Sequence, residues 1–199
     1  GGHGQYAKVA LEIKPLPRGQ QFNFVNAIVG GRISKGYIPG VEKGVIDGMD
    51  SGILAGYPVV DLEASVVDGK EHPVDSSELA FKIAGNQAFK EAARKARPVL
   101  LEPMFAVEVT TPDTYLGDVI GDMNRRRGTI LEQVERGTNT AVVATIPLSE
   151  MFGYIGQLRS MSSGRASFTM EFSHYDPVPK NVADEVIEEV AKRRAALNA

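Results

Sequence analysis

Residues 129–146, TILEQVERGTNTAVVATI, decide the fold of the second half of this chain. Two runs rich in β-branched residues, Thr129–Glu135 and Ala141–Ile146, flank the turn signal Gly137-Thr138-Asn139 and read as a hairpin. A helical pattern precedes it over Asp113–Arg127, with Gly117 and Gly121 on one face and Gly128 as a C-cap. Another follows it, capped by Ser149 and running to about Ser160 with Met151, Phe152, Ile155 and Leu158 apolar. Met104–Val109 before the first helix and Ala166–Phe172 after the second read as strands. The order β-α-β-β-α-β predicts a ferredoxin-like split βαβ unit.

Upstream, Leu100–Pro103 reads as a short strand entering a linker, so a domain boundary is placed there: residues 1–102, 103–175 and a terminal helix within 176–199. The first part mixes both periods. Gln5–Ile13 is a strand ended by Pro15-Leu16-Pro17-Arg18-Gly19, and Phe22, Phe24 and, less regularly, Ala27 and Ile28 mark a second. Gly30–Tyr37 is a glycine-rich basic loop, and Pro39 opens a helix to about Asp50. Tyr57–Val67 is a strand that Asp68-Gly69 ends, with Lys70–Val74 a loop. Asp75 and Glu78 resemble a capping box. In the helix that follows, Ala80, Ala84, Ala88, Ala92 and Ala96 recur every fourth residue, a row of small side chains expected in the core. Lys82, Lys90, Arg94 and Arg97 dress another face, and Arg97-Pro98 ends the helix. From Asn181 to about Ala195, Val182, Val186, Ile187 and Val190 form an apolar stripe expected to pack on the first module. The fold class is α+β in two domains.

The 199 residues carry a formal charge of −3, which argues against a globally basic nucleic-acid binder, so any RNA contact would have to come from local patches. No apolar run nears the roughly 18 residues of a membrane span. The absence of cysteine excludes disulfides and thiolate chemistry and suits the cytoplasm. Gly1 and Gly2 read either as native or as a cloning scar.

No Walker loop is present, since Gly69-Lys70-Glu71 lacks the hydroxyl residue. No Gly-x-Ser-x-Gly elbow occurs, and three scattered histidines give no zinc spacing. His72 with Glu71 and Asp75 reads either as a solvated loop or as an acid–base pair. The Gly30–Tyr37 loop reads either as a long turn or as a basic finger, with Arg32 and Lys35 reaching phosphates and Tyr37 stacking on bases. Arg125-Arg126-Arg127 reads either as a dipole-matched helix end or as a grip on RNA or an acidic protein.

Several stretches in order resemble the fourth and fifth domains of elongation factor G. They are Gly1-Gly2-His3-Gly4-Gln5-Tyr6, Tyr37-Ile38-Pro39, Leu54–Asp61, VDSSELAFKIA at 74–84 and Pro98–Pro103. Gly117–Asp122, Arg126-Arg127-Gly128, Pro147–Tyr154, Leu158-Arg159-Ser160, Gly164-Arg165-Ala166 and Met170-Glu171-Phe172 continue the match. The resemblance implies the C-terminal part of a ribosomal GTPase that drives tRNA–mRNA translocation. GTP and Mg2+ would belong to an upstream domain, with no cofactor or metal held by this part. It also implies a first module like ribosomal protein S5 domain 2, with an unusual βαβ crossover, followed by the ferredoxin-like module and a C-terminal helix packed on the first.

By matching positions, two tip loops, Gly30–Ile38 and Asp68–Asp75, would enter the small-subunit decoding centre. Arg32, Ile33, Ser34, Lys35, Lys70, Glu71 and His72 would lie there. The second module would dock near the stalk base and the sarcin–ricin loop of the large subunit through Arg126, Arg127, Arg159 and Arg165. The expected partner is the ribosome with its A-site tRNA–mRNA, the expected state a monomer, and no membrane is involved. His3, where many members have Arg, and Pro73, where Asp is common, depart from the pattern. They keep open a divergent paralogue acting in ribosome recycling. A ribosomal protection protein is the other alternative from the same body plan, and a free-standing hydrolase using His72 and Asp75 is a third class.

Overall fold

The computed structural model describes residues 4–199, so the readings made on Gly1, Gly2 and His3 lie outside the described residues. The chain forms two compact units. One comprises the segment up to Val99 together with Asn181–Ala199, and the other Leu100–Lys180.

In the first unit, β1 (Lys8–Pro15), β2 (Phe22–Asn26) and β3 (Leu62–Lys70) form a sheet of order β1-β3-β2. β1 runs antiparallel to β3, and β2 runs parallel to it. A parallel neighbour requires a crossover, which α1 (Ile38–Ser51) supplies. Sequence reading started β3 too early and ended it too soon. Asp61 sits at φ 58°, so the chain turns there, and Gly19 and Gln21 donate backbone N–H bonds of 2.9 Å to its buried carboxylate. The strand then continues through Asp68-Gly69, because a bulge beside Ala10/Leu11 resets the alternation and keeps Gly69 facing inward.

α2 (Glu78–Lys95) corrects two further readings. Its N-cap is Ser77, whose hydroxyl accepts the Ala80 N–H at 3.0 Å, while the Asp75 carboxylate accepts the Gly4 N–H instead. The alanine row is not the core face. Of it only Ala80 is buried, and the buried row is Phe81, Gly85, Phe89 and Ala93. The larger side chains win the interior because burying a Phe stabilises by far more than burying an Ala.

Close packing comes from α1, whose Gly40, Gly44 and Gly48 lie against α2. A Cβ on Gly40 would meet Glu78 O, one on Gly44 would meet Lys82 O, and one on Gly48 the Phe89 ring. Val41, Val45, Met49, Phe81 and Phe89 join Ala64 and Val66 of β3 in the core. At the far end Gly56, at φ 80°, takes a left-handed conformation that favours glycine and lies against the Arg194 guanidinium of α5 (Lys180–Leu197). The α5 stripe Val182, Val186, Ile187 and Val190 is half-buried.

The second unit has the predicted order: β4 (Leu101–Pro112), α3 (Leu116–Arg125), β5 (Thr129–Arg136), β6 (Asn139–Pro147), α4 (Tyr154–Ser162) and β7 (Ser167–Pro177). The sheet order β5-β6-β4-β7, all antiparallel, is the ferredoxin-like one. Leu100–Pro103 is no linker, since β4 is one uninterrupted strand. Pro103 pairs only with Tyr175 of β7, ahead of the β6 ladder that begins at Met104, so its missing N–H leaves no bond broken on the other side. The left-handed position after α3 belongs to Arg127 (φ 56°), not Gly128. Ser149 lies in a short 3-10 turn, and Gly153 (φ 74°) caps α4. Val107, Val109, Val119, Met123, Val142, Ile146, Tyr154 and Leu158 fill the core. Phe152 does not join it and stands 81% exposed. Among the described residues no helix is long and apolar enough to cross a membrane.

Candidate RNA interface

The two loops singled out in the first unit are joined at one end of its sheet. Ile33 acts as a peg: it is 3% exposed and packs on Gly69, where a Cβ would collide with it. Around the peg, Arg32 Nη1 donates to both Asp68 carboxylate oxygens, at 3.0 and 3.2 Å. Ser34 donates its N–H and its hydroxyl to the two oxygens of Glu71, at 2.9 and 2.7 Å. Gly30–Ile38 therefore does not hang free. It is latched to the end of β3 by side chains that sequence reading assigned to partner contact. Tyr37 is likewise used internally, stacked on Phe81 with centroids 5.1 Å apart.

The Asp68–Asp75 segment is shaped by His72. Its Nδ1 accepts the N–H groups of Val74 and Asp75 at 3.2 and 3.1 Å. The backbone N–H of His72 donates to Ser76 Oγ, which donates to Tyr6 O. The Tyr6 ring lies 6.1 Å from the imidazole. The same Nδ1 lies 3.4 Å from Asp75 Oδ2, so the His72–Asp75 pair is present but shares its nitrogen with two backbone donors that shape the turn.

With Arg32 paired, the tip's cations without a carboxylate partner among the described residues are Lys35, Lys70 and one that sequence reading missed, Lys8. Lys8 stands directly opposite Lys70 on the antiparallel β1–β3 ladder, and both are exposed. The missed signal is one of register: nothing in the spacing of residues 8 and 70 announces that they face each other. Gly4 and Tyr6 tie the incoming chain to the same end through Asp75.

In the second unit the candidate arginines divide. Arg126 and Arg127 are structural, with side chains 16% and 26% exposed. Arg126 pairs with buried Asp122 at 2.9 Å, donates to the carbonyls of Glu150 and Phe152, and lies 5.0 Å over the Tyr154 ring. Arg127 makes a two-pronged bond to Glu102, at 2.8 Å on each prong, and reaches Glu150. The Glu102 hydrogen bonds raise its already high pKa further. Arg159 and Arg165 are exposed. The Tyr115 pKa is lowered, chiefly by hydrogen bonding with Ser163 and to a lesser extent by Arg165. Among the described residues no group of three His, Cys, Asp or Glu side chains is placed to hold a metal ion.

Comparison with known proteins bears on what such a surface meets. Residues 1–97 match the family profile described as elongation factor G, domain IV, and residues 99–197 that described as elongation factor G C-terminus. The chain is 57% identical over 189 residues to elongation factor G of Aquifex pyrophilus, covering 95% of this chain and 27% of that protein. A crystal structure of a Thermus thermophilus protein superposes with a TM-score of 0.82 at 40% identity, over 96% of this chain and 29% of that one. The chain thus spans little more than a quarter of the length of these relatives.

Proposed function

The chain belongs to the elongation factor G family, in the part that carries domain IV and the C-terminus, and from that membership we propose that it is the ribosome-docking end of a translocase. In this reading the latched tip of the first unit enters the decoding centre of the small subunit and acts on A-site tRNA and mRNA. The second unit docks near the stalk base and the sarcin–ricin loop, using exposed Arg159 and Arg165, while Arg126 and Arg127 hold its shape. GTP and Mg2+ belong to the remainder of the intact factor, which works as a monomer in the cytoplasm.

The observation that carries the reading is the tip itself. Two loops are locked together by internal bonds while Lys35 and Lys70 have no carboxylate partner among the described residues, a rigid cationic end suited to a phosphate backbone. Replacing both loops by glycine-serine linkers in the intact factor tests it. Translocation in a single-turnover assay should slow by at least tenfold, with ribosome-stimulated GTP hydrolysis retained. Equal loss of both activities would count against a tip-specific role.

A further inference from the structure

We propose that Lys8, on β1 and outside both tip loops, is a phosphate-contacting residue that extends the RNA surface from the loops onto the outer face of the sheet. The inference rests on the proposed RNA-binding tip and adds a residue and a direction to it.

The argument begins with the contrast along one face of one ladder. Residues directly opposite in an antiparallel pair share a face and interact, favourably for opposite charges and unfavourably for like ones. At the far end of the β1–β3 pairing, Lys14 stands opposite Glu63 and forms a 2.8 Å ion pair. At the tip end, Lys8 stands opposite Lys70, and neither has a carboxylate among the described residues. The two carboxylates nearest along the chain are engaged: Asp68 by Arg32, and Glu71 by the Ser34 N–H and hydroxyl.

Edge protection explains a lysine on β1, which is an edge strand. It does not explain a second lysine facing it from the central strand. A phosphodiester anion lying across the pair turns that repulsion into a bridge. Lys35 follows Ser34, whose latch reaches Glu71 beside Lys70, so three ammonium groups with no carboxylate partner among the described residues lie at the same end of the sheet. An RNA strand is favoured over an acidic protein because the Tyr6 and His72 rings lie at the same end and offer stacking surface.

The test uses the chain itself and a fluorescently labelled single-stranded RNA oligonucleotide, with anisotropy titrations across a KCl series. Removing one lysine–phosphate interaction on a single strand lowers the slope of log K against log salt by roughly 0.7. Lys8→Gln should lower it by about that amount, Lys8→Arg should preserve it, and Lys14→Gln should leave it unchanged. Because Lys8→Gln also relieves a like-charge pair, its urea midpoint should rise slightly at low salt, so weaker binding cannot be attributed to unfolding. If Lys8→Gln has no effect while Lys70→Gln lowers the slope, the Lys8 assignment is overturned and the tip reading survives. If neither has an effect, or the chain binds no RNA at the lowest salt, both fall. Tighter binding of polyglutamate than of RNA at equal charge would overturn the assignment in favour of an acidic protein.

Discussion

Tyr154 shows how a side chain can sit inside a core and still be chemically at odds with its place. Its ring is buried, in edge contact with Phe168 at 5.1 Å, and the Arg126 guanidinium covers it. Its hydroxyl is also buried but has no hydrogen-bond partner among the described residues. Burial, and secondarily the Asp122 carboxylate, push its pKa up to about 12. Since the folded value lies above the unfolded one near 10, the linked stability is present below pH 10 and lost as pH rises towards 12. Tyr154→Phe removes both the unpaired hydroxyl and the titration. It should stabilise the second unit by about 1 kcal/mol at neutral pH and flatten the alkaline loss, as urea denaturation at neutral pH and near pH 11 would read. The same residue scale explains why the internal pairing of Arg126 and Arg127 is hard to read from sequence. Charge and helix position are visible in a sequence, but Asp122 at i−4, and Glu102 and Glu150 from other elements, become partners only in the fold. His72 differs, since Asp75 is close in sequence, but the donors that occupy its Nδ1 are backbone groups.

At the scale of elements, the second unit was legible because each element obeys its own period and the hairpin turn is two residues long, closing between Arg136 and Asn139. The first unit was less so. The α1–α2 contact depends on Gly40, Gly44 and Gly48, a row as regular as the alanines of α2, but a glycine row in a helix reads as a weak helix until a partner backbone lies against it. The ends of β3 depended on a left-handed aspartate and a bulge, neither of which has a residue-type signature here. The glycines separate two cases experimentally. Gly85→Ala would place a methyl against the Val41 backbone and should destabilise by about 1–3 kcal/mol despite alanine's better helix propensity. Gly117→Ala and Gly121→Ala meet nothing within 4 Å and should each stabilise by up to about 1 kcal/mol. Thermal melts of the three variants would show opposite signs, and stabilisation by all three would mean that propensity rather than contact governs both helices.

At the scale of the whole molecule, the two units differ in how their chain closes. The second is continuous, Leu100–Lys180, and its core draws on its own four strands and two helices. Its size of about 80 residues is enough for independent folding. The first is discontinuous and is completed by α5, which contributes half-buried Val182, Val186, Ile187 and Val190 but no fully buried side chain. A segment of that kind adds stability without being the nucleus of a core. Residues 100–180 expressed alone should therefore unfold cooperatively, with the urea midpoint of that unit in the full chain. Residues 1–99 alone should fold, but with stability lowered by about 2–4 kcal/mol, the scale of four half-buried aliphatic side chains left in solvent. Adding residues 181–199 as a separate peptide should recover part of that stability in a concentration-dependent way. A 1–99 fragment as stable as the first unit in the full chain would show that the α5 stripe contributes nothing there, and that its apolar face is kept for another surface of the intact factor.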